Sequence, residues 1–208
     1  MNYEIAYALG FHPWEDAAEE PAFVEAITGL FEAEERGQEA PYGRALDLGT
    51  GSGIWGIELA RRGWEVTGVD NVERVLDRAR DRVDEAGVEM ELVHGDVTDL
   101  RGAGIETGYR LILDTGTFHG LPRSQRAAMG REVDAVAASD ATVLLLAWDP
   151  RWRGPLPRGA SRREIEEAFP GWTVTDVGPS NFVAPRPVEL LMRPDEHWYR
   201  LRRDESPS

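Results

Sequence analysis

The chain predicts an α/β fold: a doubly wound, mostly parallel sheet with helices on both faces and one antiparallel strand near the C-terminus. Three observations carry this. Short apolar runs alternate with segments of helical period. A glycine-rich turn, Gly49-Thr50-Gly51-Ser52-Gly53, joins the first apolar run to the helix after it. The last two runs leave no room for a helix between them, which makes them antiparallel neighbours.

The elements follow in order. Residues 1–20 read as irregular and include His12-Pro13-Trp14-Glu15-Asp16. From Pro21 a helix is predicted. Phe23, Ile27, Leu30 and Phe31 fall on one helical face, and Pro21 suits a first turn. The stretch from Arg36 to Gly43 ends it. Arg44–Leu48 reads as a strand and Ser52–Arg62 as a helix closed by Gly63. Trp64–Val69 is a strand, and Val72–Ala86 a helix stopped by Gly87. Val88–Val93 alternates, with Val88, Met90 and Leu92 on one face, and Tyr109–Leu113 is another strand. A helix from about Arg123 carries Met129, Val133 and Val136 at helical spacing. Thr142–Trp148 is the most apolar run and suits a strand buried on both faces. A Pro- and Arg-rich loop, 149–157, precedes a short helix whose capping box is Ser161 and Glu164. Pro170-Gly171 ends that helix. Trp172–Val177 and Val188–Met192 complete a predicted sheet of seven strands. We expect one domain over 1–208, with 1–36 an N-terminal lid and helix segment and 202–208 a frayed tail.

Composition narrows the partners. The net charge of -15 repels phosphate backbones and acidic headgroups, so neither nucleic acid nor membrane is expected. No apolar run is long enough for a membrane span and the N-terminus lacks a basic start, so a cytoplasmic location is expected. There are no cysteines, which excludes disulfides and thiolate chemistry. Every basic residue apart from the histidines is arginine. Lysine Schiff bases and the P-loop lysine are therefore excluded as well. The four histidines show no ligand spacing, and no metal is expected.

The glycine turn is the chemical centre of the sequence. Gly51-Ser-Gly53-Ile-Trp-Gly56 spells the dinucleotide pattern literally, but out of register. The glycine that directly follows the strand is Gly49, and the third position of that fingerprint then falls on Ile54. Asp47 lies inside the strand end. The resulting Asp-x-Gly-x-Gly-x-Gly resembles motif I of class I S-adenosylmethionine-dependent methyltransferases, a Rossmann-like family. Further acids match in order: Asp70 before Asn71, Asp96 before Val97, and Asp114 in Asp114-Thr115-Gly116-Thr117-Phe118-His119-Gly120-Leu121. This last loop resembles motif IV.

The resemblance runs from Pro13-Trp14 to Met192, and it implies a role for each match. Asp47, Gly49, Thr50, Gly51 and Gly53 would border the amino acid end of S-adenosylmethionine, whose charge there is a cation rather than a pyrophosphate. Asp70, with Asn71 beside it, would accept from both ribose hydroxyls. Asp96 would accept from the adenine amino group while Val97 lines the ring. Asp114 and Thr115 would lie between the methionine part and the acceptor. His119 is the candidate base, its alternative being a cap or packing residue. Asp114 is grouped with it as catalytic. Trp14, His119 and Trp152 are candidate acceptor contacts, with simple packing the favoured reading for Trp152. The Pro-Trp segment, the Asp114–Leu121 loop and Gly154-Pro155 are similar to the thiopurine and thiol methyltransferases of small bacterial enzymes. Thr115 departs from the arginine often found there.

The implied reaction is in-line methyl transfer to S, N or O of a small-molecule acceptor, leaving S-adenosylhomocysteine, by a monomer or homodimer. The alternatives are an NAD(P)-dependent oxidoreductase, from the literal glycine match, and an S-adenosylmethionine-binding protein without transferase activity.

Overall fold

The computed structural model describes residues 18–152, 158–181 and 195–203. Its sheet has seven strands: β1 (Arg44–Leu48), β2 (Glu65–Asp70), β3 (Met90–His94), β4 (Tyr109–Asp114), β5 (Ala137–Trp148), β6 (Trp172–Pro179) and β7 (Glu196–Arg203). Their order is β3-β2-β1-β4-β5-β7-β6. The first five pair in parallel, and β7 lies antiparallel between β5 and β6. The helices among the described residues are α1 (Pro21–Glu35), α2 (Ile54–Arg62), α3 (Glu73–Ala86), α4 (Thr117–Gly120), α5 (Arg123–Val136) and α6 (Arg162–Ala168).

Alternation along the strands sorts the core into two layers. Leu144 and Leu146 of β5 join Phe23, Ile27 and Phe31 of α1 and Trp55 and Leu59 of α2. Val143, Leu145 and Ala147 join Met129, Val133 and Val136 of α5 and Ile165 of α6 on the other face. All five of these β5 residues are buried, as a strand covered on both faces requires. Glu35 ends the apolar stripe of α1 and is buried too. It accepts from Arg62 Nε at 2.7 Å and Trp64 Nε1 at 3.0 Å, which ties α1 to α2 and to the chain entering β2.

The predicted strand Val188–Met192 lies outside the described residues. One expectation near the C-terminus needs correction, because the strand between β5 and β6 is β7. That strand runs through Arg203, so the predicted tail overlaps it by Arg202 and Arg203. Its arginines hid it, because Arg200 and Arg202 both reach Glu34 of α1 instead of marking a solvated end.

The capping box of α6 is present. Ser161 N donates to Glu164 Oε2 at 2.9 Å and Glu164 N donates to Ser161 Oγ at 3.3 Å. Ser161→Ala is expected to lower stability by about 1 kcal/mol, read as a lower midpoint in urea.

Candidate active site

Strands β1, β2, β3 and β4 end at one level. Leu48 pairs with Val69 on one side and Asp114 on the other, and Asp70 pairs with His94. In an open α/β sheet such ends border one crevice. Asp47, Asp70, Asp96 and Asp114 are thereby brought to the same edge.

The turn after β1 needs its glycines. Gly49, Gly51 and Gly53 have φ of 65°, 57° and 81°, in the left-handed region. Gly49 is also crowded. A Cβ there would lie 2.0 Å from Thr117 Oγ1, whose hydroxyl donates to Leu48 O at 3.1 Å. Gly49→Ala is expected to cost about 2 kcal/mol, measurable by chemical denaturation.

Asp47 lies beneath this turn, 1% exposed. Its Oδ2 accepts from Thr50 Oγ1 at 2.6 Å, and the backbone N–H of Gly56 in α2 donates to the same carboxylate. Its Oδ1 is buried with no hydrogen-bond partner among the described residues. Burial pushes its pKa up to about 7 against the pull of the Thr50 hydroxyl, and the nearby Asp114 and Asp70 push the same way. Thr50 is committed inward: its hydroxyl goes to Asp47 and its N–H to Val69 O.

Asp70 bridges the turn to the start of α3. Its Oδ2 accepts from Gly51 N and its Oδ1 from Val72 N, both at 2.9 Å. Burial raises its pKa while these N–H groups lower it. Each oxygen keeps a second lone pair for a ligand hydroxyl. Asn71 beside it is exposed, and its carbonyl lies 3.2 Å from His94 Nε2. Asp96 is exposed and closes a local turn, with Oδ1 accepting from Thr98 N and Oγ1, both at 2.8 Å. Val97 is buried in the core layer that also holds Leu48 and Val69.

Asp114 is fully buried. Its Oδ1 accepts from Gly116 N at 2.8 Å and Thr117 N at 2.6 Å, and its Oδ2 from Phe118 N at 2.9 Å. The carboxylate therefore builds the first turn of α4. It positions α4, and Thr115, half-buried, is carried in the turn it shapes. Burial lifts its pKa to about 6 against those three amides.

His119, in α4, is 1% exposed and stacks on Trp148 with ring centroids 4.9 Å apart. Its Nδ1 lies 3.4 Å from Leu146 O, a group that can only accept. A proton on Nδ1 would satisfy that contact and leave Nε2 as the nitrogen able to accept. His119 also lines a cleft with Trp152. The packing expected of Trp152 is not found, since it is 78% exposed. Trp14 and Gly154-Pro155 lie outside the described residues.

Sequence reasoning missed Arg126 and Thr117. Arg126 is 6% exposed. It donates to the carbonyls of Leu121 at 3.2 Å, His119 at 3.1 Å and Gly159 at 2.8 Å. Its position was readable, because it continues the stripe of Met129 and Val133 back by one turn. A charge in an apolar stripe signals a buried anchor. Thr117 left no such signal, since its contact with Gly49 is made across the sheet edge.

Among the described residues no group of three or more histidine, aspartate or glutamate side chains could hold a metal ion. None of the described helices is long and apolar enough to cross a membrane.

Residues 45–140 match the family described as Methyltransferase domain. A ubiquinone biosynthesis O-methyltransferase of Ruegeria pomeroyi is 36% identical over 80 residues, 38% of this chain and 32% of that protein. The match thus spans about a third of that relative's length. Two solved structures share the fold over nearly the whole chain. The 1,6-didemethyltoxoflavin-N1-methyltransferase of Burkholderia thailandensis, with its acceptor and S-adenosylhomocysteine bound, has a TM-score of 0.71 at 21% identity, covering 98% of this chain and 86% of that one. The magnesium protoporphyrin IX methyltransferase of Synechocystis, with S-adenosylhomocysteine bound, has a TM-score of 0.71 at 14% identity, covering 97% of both chains.

Proposed function

We propose that this chain, with a methyltransferase domain over residues 45–140, transfers the methyl group of S-adenosylmethionine to an S, N or O atom of a small molecule. The observation that carries the reading is Asp47. The N-terminus of a helix normally offers its N–H groups to an anion. Here Asp47 already gives its carboxylate to Gly56 N, while its Oδ1 remains buried and unpartnered among the described residues. A turn that supplies its own anion suits a cationic ligand and disfavours a pyrophosphate. That argues against the NAD(P) alternative.

The residues fit the cofactor. Asp47 would hold its ammonium, directly or through a water, and the left-handed glycines let backbone approach it closely. Asp70 would accept from the ribose hydroxyls, and Asp96 and Val97 would border the adenine. Asp114 and Thr117 position α4 against the glycine turn. The bound cofactor supplies an electrophilic methyl on a sulfonium. The chain's remaining work is to align the acceptor, exclude water and, where the acceptor must lose a proton, receive it. Nε2 of His119 would take that proton, with Nδ1–H held toward Leu146 O. Thr115 stands where the thiopurine and thiol group often has arginine, so the Asp114–Leu121 loop carries no preference for sulfur over nitrogen or oxygen.

Thermal shift with S-adenosylhomocysteine against NAD tests the cofactor. Stabilisation by NAD and none by S-adenosylhomocysteine would overturn the proposal. Incubation with methyl-labelled S-adenosylmethionine and a panel of thiols, phenols and amines tests transfer. Label reaching none of them, with the cofactor bound, would favour a binding protein without transferase activity.

A further inference from the structure

A cleft of about 560 Å³ opens at the C-terminal ends of β4 and β5, a volume suited to a small ligand. Its charge is opposite to that of the chain. Among the described residues lining it are Arg123, Arg126, Arg151 and Arg158, against one carboxylate, Glu164. The chain as a whole carries -15. From this contrast we infer, resting on the methyltransferase reading, that the acceptor is a planar small-molecule carboxylate, held by this arginine cleft and stacked on Trp152.

Three details support that class. First, Arg151 N donates to Arg158 O at 2.8 Å, which brings two cleft arginines together along the backbone. Arg151 pairs with Asp195 at 3.1 Å, a residue outside the cleft lining, and its side chain stays 43% exposed. Second, Arg126 is buried in the wall, with Nη1 3.3 Å from Glu164 Oε1 but in no hydrogen bond. Glu164 is shared with Arg123 at 2.7 Å. One carboxylate between two guanidiniums leaves donors over. Third, Trp152 is the one large apolar side chain exposed among the described residues, and it adjoins Arg151. An indole beside guanidiniums offers a stacking face and charge-assisted hydrogen bonds to the same planar anion.

The cleft is also in the right place. α4 touches the glycine turn through Thr117 and lines the cleft through His119. The cofactor seat and the cleft are thus joined by a single helical turn, a rise of about 5.4 Å. The two seats have opposite sign: aspartates at the strand ends for a cationic cofactor, arginines in the cleft for an anionic acceptor. Each repels the other's occupant, which sorts the two ligands before any chemistry.

The test is calorimetric titration of 2-naphthoate and its neutral isostere 2-naphthamide into protein saturated with S-adenosylhomocysteine. The acid is expected to bind about tenfold more tightly than the amide, with the advantage shrinking as salt is raised. In the Arg151→Gln/Arg158→Gln double variant the acid should fall to the level of the amide. Trp152→Ala should weaken both ligands together. Equal binding of acid and amide, binding of neither, or an acid preference that survives the double variant would overturn the inference. Titration of S-adenosylhomocysteine alone is the separate control. Its failure to bind would sink the cofactor reading, whereas its binding without acid preference would sink only the cleft assignment.

Discussion

Asp47→Asn is expected to weaken S-adenosylhomocysteine binding at pH 8 by about 2 kcal/mol, on the order of thirtyfold, the scale of a hydrogen bond to a charged group. The same substitution should flatten the pH dependence of binding. In the folded protein burial holds the Asp47 pKa at about 7, against an ordinary value of 3.8. A cationic ligand favours the ionised carboxylate, so affinity should rise as pH passes through about 7. The asparagine variant has no proton to release there. Stability of the ligand-free protein should move the other way. Between pH 3.8 and about 7 the unfolded chain has lost the Asp47 proton while the folded chain retains it, so folding weakens as pH rises across that window. Asp114, raised from 3.8 to about 6, adds to the decline over its own range. Asp47→Asn removes its share, making the ligand-free variant more stable than the parent at pH 8 while it binds less well. Calorimetric titrations at pH 6 and pH 8, with urea denaturation at the same values, check all of this. A variant that is both less stable and equally pH-dependent in binding would show that Asp47 is not the titrating group.

Arg126→Met is expected to be the most damaging single change, at about 4 kcal/mol. Methionine fills much of the volume but donates nothing. The carbonyls of His119, Leu121 and Gly159 would lose a donor, and Glu164 would lose one of its two arginines. Lysine is not a substitute, because a single ammonium cannot span the directions that the planar guanidinium covers. Stability in urea gives the magnitude. Hydrogen exchange of the amides around residues 119–123 should show the damage centred on the α4–α5 corner rather than spread through the sheet. Uniform loss of protection would argue for a general core role instead.

The parts of this molecule legible in sequence are those whose signals are local. The acid and three glycines after β1 fall within one short stretch, and the apolar runs of β1 to β5 are read by their own composition. The Ser161–Glu164 cap is likewise a four-residue pattern. What escaped was decided across the chain. α4 is one turn long and exists because Asp114 collects three successive amides. β7 mixes arginine with apolar residues, and its partners lie on Glu34, far away in sequence. Burial then changed what several residues do. Asp114 and His119 sit where the pattern placed them, but one is consumed in holding backbone and the other is stacked beneath the loop.

The strand order has a consequence for how the molecule is made. β7 is synthesised after both of its neighbours, yet it lies between them. A nascent chain that has reached Pro179 can assemble β3, β2, β1, β4 and β5, but among the described strands β6 pairs only with β7, which is not yet made. Meanwhile β5, the most apolar strand of the sheet, waits with one edge bare, a template for pairing with other chains. Closure of the sheet falls to the eight residues Glu196–Arg203, and Arg200 and Arg202 within them dock onto Glu34 of α1. Completion of the sheet therefore waits on the last of its described strands, and until that strand is made the bare edge of β5 is the aggregation-prone surface.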